Sequence, residues 1–492
     1  MHQDKIIQTF IRKFGKDFKI YSESFKKVAG SFVFAARKKE ERFLVVAENS
    51  SSFGFEADFL GKLVLEGDEF TLKLAKANSA NLRILKEIFP HLSPKVCGLR
   101  KSFGTGDRLG VATSSHIAAF EGKDFFPVLA QQSVRENMRT GRDFGKVLED
   151  VIWGCFQAGY EGEFGADADH VKKIEDLKEA AECGYTMFTI DLSDFIKEDT
   201  LTLSPQEKGK LCRNLPQLKE VEKIYLGRKY KIGKEEFNFT EDLLVEVFLV
   251  YSKAIQHAAF CYRFLKDQKR EFDFEISVDE TSLPTSPLAH IFIAEELHRK
   301  GVEFQNLALR FCGEWQKGID YIGDVKKFER EVNIHAGIAK NLGGYKLSLH
   351  SGSDKFSVYP VFAKATGEKF HVKTSGTTYL EEIKLIAEKA PSLYRKIHKL
   401  ALKKFDQDKA FYHVTCDISR IPSLDELSDD ELPGLFNLPD CRQLIHFSFV
   451  SVLGAIDEEG GLLRVKFIYV LLGLVIEDCY KISSHILKLL EL

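Results

Sequence analysis

The chain has 492 residues, 44% of them apolar, and its charges nearly balance at a net −3. That length and apolar content suffice to bury the core of one large domain or two. With no basic stripe and no acidic or low-complexity tail, the composition excludes a nucleic-acid-binding surface and a disordered partner segment.

The cysteines Cys97, Cys155, Cys183, Cys212, Cys261, Cys312, Cys416, Cys441 and Cys479 stand singly, with no C-x-x-C pair. This argues against a zinc ribbon and a disulfide framework, and for a reducing compartment. The N-terminal segment Met1–Gly15 mixes charges with apolar residues and has no signal-peptide core. The most apolar run, Phe467–Ile476, is too short to span a bilayer and reads as a buried strand or helix. A soluble, cytoplasmic protein without a membrane partner is expected; monomer and homo-oligomer both stay open.

Residues 1–97 read as a small β-rich cap. The short runs Ser31–Ala36, Phe43–Ala47 and Leu63–Leu65 alternate with polar turns, and the Ser-rich Asn49–Phe53 separates two of them. From about residue 98, short apolar strands alternate with amphipathic helices, the pattern of a parallel sheet with crossover helices. Strands are expected at Arg108–Thr113, Phe126–Gln131, Phe164–Asp169, Thr186–Asp191, Phe272–Val278, Leu307–Phe311, Tyr345–Leu349 and Phe370–Thr374. Eight such strands predict an α/β fold, a TIM-like (β/α)8 barrel over residues 98–407. Ser286-Pro287 starts one helix, Asp324 caps Val325–Asn341 before Gly343-Gly344, and Thr378 caps Tyr379–Lys389 with Glu382 near its first turn. Residues 196–240 are an insertion rich in Lys, Glu, Gly and Pro, followed by a long helix, Glu241–Asp267. Residues 408–492 form a helical C-terminal extension packed on the barrel, with one strand-like run at Phe411–Cys416.

In such a barrel the C-terminal strand ends converge on one site. Here those ends are polar: Gln131, Gln132 and Arg135; Asp167, Asp169 and His170; Asp191; Glu275, Ser277 and Asp279; Arg310; His350; His371 and Lys373. Alternation with period two puts Asp167 with Asp169, Glu275 with Asp279, and His371 with Lys373 on shared faces. Buried carboxylates and imidazoles are costly unless paired or metal-bound, which points to a metal. Asp169, His350 and His371 make an open three-ligand set for a divalent ion such as Zn, Mn, Co or Ni. The plainer readings are that Asp169 caps the next helix and that each histidine is a satisfied core or surface residue. Ser351, Asp354 and Lys355 lie in a Ser/Gly loop suited to a carboxylate, with Lys373 or Arg135 helping; an ordinary solvated turn is the alternative. Together with Gln131, Gln132, Arg135 and Asp191, they are the expected substrate contacts. The Gly104–Gly110 run is spaced G-x-G-x-x-x-G and does not fit a dinucleotide loop.

In combination, several segments resemble the tagaturonate epimerase family: Gly106-Asp-Arg-Leu-Gly110, Gln131-Gln-Ser-Val-Arg135, Gly165-Ala-Asp-Ala-Asp-His170, Thr186-Met-Phe-Thr-Ile-Asp191, Ser277-Val-Asp279-Glu280, Leu349-His-Ser-Gly-Ser-Asp-Lys355 and His371-Val-Lys373-Thr374. The likeness spans roughly residues 100–450 in order; Ser114-Ser115 before His116 departs from the Pro-Gly of the family pattern. The resemblance implies a metal-dependent barrel that inverts C4 of a keto-hexuronate, between fructuronate and tagaturonate. The ketone of such a substrate acidifies C3–H but not C4–H, so retro-aldol cleavage of C3–C4 and re-addition is the expected route. Glu275 and Asp279 are the candidate bases, and Lys373, its pKa lowered by a neighbouring cation, the candidate acid or carboxylate anchor. Glu275 has an alternative role as an ion-pair partner of Arg310 or Lys373. A barrel aldolase or isomerase of another sugar acid, or an inactive sugar-acid-binding protein, are the competing functions.

Overall fold

The computed structural model describes residues 2–488 except 40, 50, 51, 66, 213, 214, 269, 413, 459, 474–481, 483 and 487. The N-terminal region is a helix, His2–Phe14, on a five-stranded sheet. Its antiparallel strands Phe18–Val28, Ser31–Lys38, Glu41–Glu48, Ala57–Leu65 and Asp68–Lys76 run in the spatial order first, second, third, fifth, fourth. Alternation divides the two central strands between two cores. Phe32, Phe34 and Val45 pack under Ile6 and Phe10 of the helix, while Val33, Leu44 and Val46 face the main core. Arg42 fastens this sheet to the barrel, pairing with Asp150 at 2.6 Å and donating to the Gly110 carbonyl at 2.5 Å.

The barrel strands are Ser102–Thr105, Phe126–Ser133, Gly165–Val171, Met187–Asp191, Asp273–Ser277, Asn306–Ala308, Lys346–Leu349 and Phe370–Thr374. They close in chain order, the eighth pairing in parallel with the first through His371 opposite Ser102 and Lys373 opposite Gly104. The fold is thus the expected (β/α)8 barrel, with a small antiparallel cap and a helical C-terminus. One strand is misplaced in the sequence reading: the first is Ser102–Thr105, not Arg108–Thr113. Asp107 supplies the reason. Its carboxylate accepts from the amides of Leu109 at 3.0 Å, Gly110 at 2.6 Å and Ala112 at 2.8 Å, so those N–H groups are tied into a loop and cannot enter a ladder.

Caps follow their expected chemistry at Ser286, which accepts from Ala289, and at Asp324, which accepts from Lys326 and Lys327. Thr378 is not a cap: its helix is Thr377–Lys389, flanked by Gly376, and Glu382, on that helix, is fully buried. The insertion forms the helices Pro205–Cys212 and Pro216–Tyr225 and the hairpin Lys229–Ile232 with Glu235–Asn238. Helix Glu241–Asp267 is long and apolar enough to cross a membrane, yet its stripe of Leu244, Val247, Ala254, Ala258 and Leu265 is buried within the protein. The C-terminal helices bury a second core with Tyr379, Ile383, Tyr394 and Phe449. The described residues of Phe411–Cys416 form no strand: the Thr415 amide donates to Gln316 Oε1 at 2.9 Å in place of a ladder carbonyl. Phe467–Gly473 belongs to a helix starting at Leu463, while residues 474–476 and Cys479 lie outside the described residues.

Candidate active site

A cleft of about 520 Å³ opens at the C-terminal strand ends. Its floor is a closed charge network. Lys373 Nζ meets Asp167 Oδ2 at 2.6 Å, Asp169 Oδ1 at 2.8 Å and Glu275 Oε1 at 2.8 Å, and also donates to Thr189 Oγ1. Glu275 is buried deeper and does not line the cleft. It accepts from Ser348 Oγ at 2.5 Å and Asn306 Nδ2 at 2.8 Å, and meets His350 Nε2 at 2.6 Å. Of its two alternative partners, Glu275 therefore has Lys373, not Arg310. Burial alone would lower the Lys373 pKa, but Asp167, Asp169 and Glu275 outweigh it and hold the ammonium well above its usual value. The expected depression of Lys373 is thus reversed among these side chains. Three carboxylates share one cation, and burial, with Asp169 and Glu275 adding repulsion, lifts Asp167 to about 6.

Above this floor the third strand breaks its alternation. Its register with the fourth strand shifts between Ala168 and Val171, and His170 takes the left-handed conformation, φ +53°. Bulges of this kind re-aim side chains beside functional sites. His170 is carried to the same side as Asp169, which it meets through Nδ1 at 2.8 Å, and its ring centroid lies 5.1 Å from that of His350. His350 bonds Glu275 through Nε2, and its Nδ1 lies 3.0 Å from Asp279 Oδ1. Ser277 Oγ donates to the same Asp279 oxygen at 2.5 Å. One ligand atom each from His170, Asp279 and His350 lie within 4.8 Å of one another. Asp169 holds His170 through Nδ1 and Glu275 holds His350 through Nε2, the kind of carboxylate support that orients metal-ligating histidines, while His350 Nδ1 meets Asp279 of the same group. Two imidazoles and a carboxylate suit a divalent transition-metal ion, so the residues fit such a group. Burial works against protonating His170 and His350, but Asp169 overrides it at His170, raised to about 10, and Asp279 with Glu275 does so at His350, raised to about 9.

A model of the tagaturonate epimerase family, UxaE, matches residues 21–492. A tagaturonate/fructuronate epimerase of Thermotoga maritima is 48% identical over 448 residues, 91% of this chain and 92% of that protein. The chain belongs to the tagaturonate epimerase family. It is an epimerase, hence an isomerase. A glycerol-complexed crystal structure of the fructuronate-tagaturonate epimerase UxaE from Cohnella laeviribosi superposes with a TM-score of 0.90 at 37% identity, covering 99% of this chain and 98% of that one. The native structure of the same protein gives a TM-score of 0.89 with the same coverage.

Within this tagaturonate epimerase family chain, Gln131, Arg135, Asp169, Asp191, Asp279, His350, Ser351 and Lys373 all line the cleft. Gln131 reaches it because Gly104 has no side chain: a Cβ there would sit 1.5 Å from Gln131 Oε1. Others are placed elsewhere. His371 lies in the barrel core with Nδ1 2.9 Å from Ser102 Oγ, and burial holds its pKa well below the usual value; it is not in the His170–Asp279–His350 group. Asp169 also stands outside that group, occupied by His170 and Lys373; it is a strand residue and caps no helix. Gln132 accepts from Arg142 at 3.1 Å behind the cleft wall. Asp354 pairs with Arg442 at 2.9 Å and His485 at 2.7 Å, and Lys355 is buried against three carbonyls, so neither faces the cleft. The sequence places His170 among the polar strand ends but assigns it no role, because alternation turns it away from Asp169; its positive φ has no sequence signal. Trp315 and Lys317, from the loop after strand six, and Tyr412, His446 and Phe449, from the C-terminal extension, complete the wall and escape a sequence reading for want of periodicity. His446 packs so closely on Gly376 that a Cβ there would lie 2.0 Å from its ring.

Proposed function

We propose that this chain interconverts fructuronate and tagaturonate by inverting C4, in the cytoplasm and with a divalent cation held by His170, Asp279 and His350. The observation that carries the reading is this His-Asp-His group beside Lys373 at the mouth of a barrel of this family. When bound, such a cation supplies Lewis-acid stabilisation of negative charge, several kcal/mol in similar enzymes. This set replaces the expected Asp169, His350 and His371, and Zn, Mn, Co and Ni all suit it.

The 2-ketone gives C4–H no acidity, so inversion goes by cleavage of C3–C4, rotation of the C4 aldehyde and re-addition on its other face. Asp279 is committed to the cation, so Asp169, beside His170 and Lys373, takes the C4-hydroxyl proton. Lys373, held cationic by its three partners, returns a proton to the C4 oxygen on re-addition and recovers one from Asp169, 2.8 Å away, which resets both groups. Glu275 holds His350 and Lys373 in place rather than reaching substrate. Gln131, Arg135, Asp191 and Ser351 orient the sugar, and the aromatic wall of Trp315 and Phe449 limits water. The free cysteines of the described residues support a reducing compartment. Incubation with fructuronate, followed by NMR, tests the reading: tagaturonate is expected, whereas two fragments would indicate an aldolase and no change a binding protein.

A further inference from the structure

The hexuronate carries a carboxylate, and three cations of the cleft wall are already taken by acids. Lys373 is held by its three acids, Arg108 by Glu136 at 2.8 Å, and Lys172 by Asp194 at 2.8 Å. Lys317 lines the cleft half-buried, with no hydrogen bond or ion pair among the described residues. Its backbone, by contrast, is pinned on both sides. Lys355 Nζ donates to the carbonyls of Gln316 at 2.8 Å and Ile319 at 2.5 Å, and Arg442 Nε donates to Gly318 at 2.8 Å. Gln316 Oε1 accepts from the Thr415 amide at 2.9 Å and from Gln443 Nε2 at 2.9 Å. Asp354 in turn holds Arg442. Buried cations and an amide pair thus immobilise a segment that presents a free ammonium to the cleft, which is how a binding group is pre-organised. Arg135, Arg310 and the exposed Lys173 also face the cleft without an acid, but Arg310 reaches the Gly313 carbonyl at 3.3 Å and none of the three has flanking carbonyls held by buried cations.

We propose that Lys317 anchors the substrate carboxylate, and that Gln316, Lys355 and Arg442 are positioning residues for its loop. The inference rests on the hexuronate reading above. Asp354 and Lys355 then act on the substrate only indirectly, through the loop they hold.

Steady-state kinetics with fructuronate test it. K317M raises KM roughly 10- to 100-fold, the loss of one charge-assisted hydrogen bond, and leaves kcat within about threefold. K317R recovers some of the loss. Gln316→Leu raises KM in the parent enzyme but adds nothing in the K317M background, a dependence that a merely structural role would not show. A parent enzyme that converts fructuronate while K317M keeps its KM within about twofold overturns the anchor and leaves the function standing. So does R135M showing the KM effect in its place. A parent enzyme that does not convert fructuronate overturns the functional reading, and the anchor with it.

Discussion

Lys373→Met removes the one cation from a site where it meets Asp167, Asp169 and Glu275. Methionine keeps most of the volume, so the perturbation is electrostatic. Removing one partner of a buried ion pair costs about 3–5 kcal/mol, because the other charges stay buried and unpaired. The pH dependence follows from Asp167, whose pKa stands at about 6 in the fold against an ordinary 3.8. A carboxylate raised on folding binds more protons folded than unfolded in that window, so stability falls as pH rises through it. The difference of about 2 pH units is on the order of 3 kcal/mol. Without Lys373 the raised window extends upward and takes in Asp169 and Glu275. Thermal melting of both proteins from pH 5 to pH 8 should show the largest deficit for K373M at pH 8, shrinking toward pH 5. Activity at pH 8 should drop about 10²- to 10⁴-fold, the range for a lost general acid. A melting difference that is flat with pH, or activity within a few fold of the parent, would refute the counter-charge argument.

His371→Asn should leave metal content unchanged by elemental analysis, whereas H170A and H350A should each lower affinity at least about 10-fold. Arg442→Ala leaves Asp354 buried with one partner fewer and should cost about 3 kcal/mol in denaturant unfolding. Asp354 itself, lowered to about 2 despite burial by Arg442, His485 and Lys355, contributes stability that is full above about pH 4 and lost as pH falls toward 2. D354N should therefore flatten the acid limb of the stability curve by about 2 kcal/mol. Turnover in D2O should leave C4–H unlabelled by NMR; deuterium at C4 would rule out cleavage and re-addition.

Much of this fold is legible because its strands are short runs such as Val128-Leu129-Ala130 and Phe274-Glu275-Ile276, set between helices with recognisable caps. The first strand escapes because Ser102-Phe103-Gly104-Thr105 carries one large apolar residue, while the more apolar Leu109–Val111 is captured by Asp107. Period-two alternation correctly turns Asp167, Asp169, Glu275 and Lys373 inward, but it fails at His170, where the bulge swaps faces. Alternation says which way His371 points but not how deep it lies, and depth separates it from His350. Residues such as Lys317 and His446 come from loops and from the C-terminal extension, whose approach to the cleft depends on tertiary packing that no local pattern encodes.

The most direct test is to strip the purified enzyme of metal and titrate it with Mn²⁺, Zn²⁺, Co²⁺ or Ni²⁺ while NMR follows fructuronate and tagaturonate. Conversion should vanish on stripping and return with about one equivalent of ion, and H170A should fail to recover at that level. Undiminished conversion by the stripped enzyme would contradict a cation held by His170, Asp279 and His350.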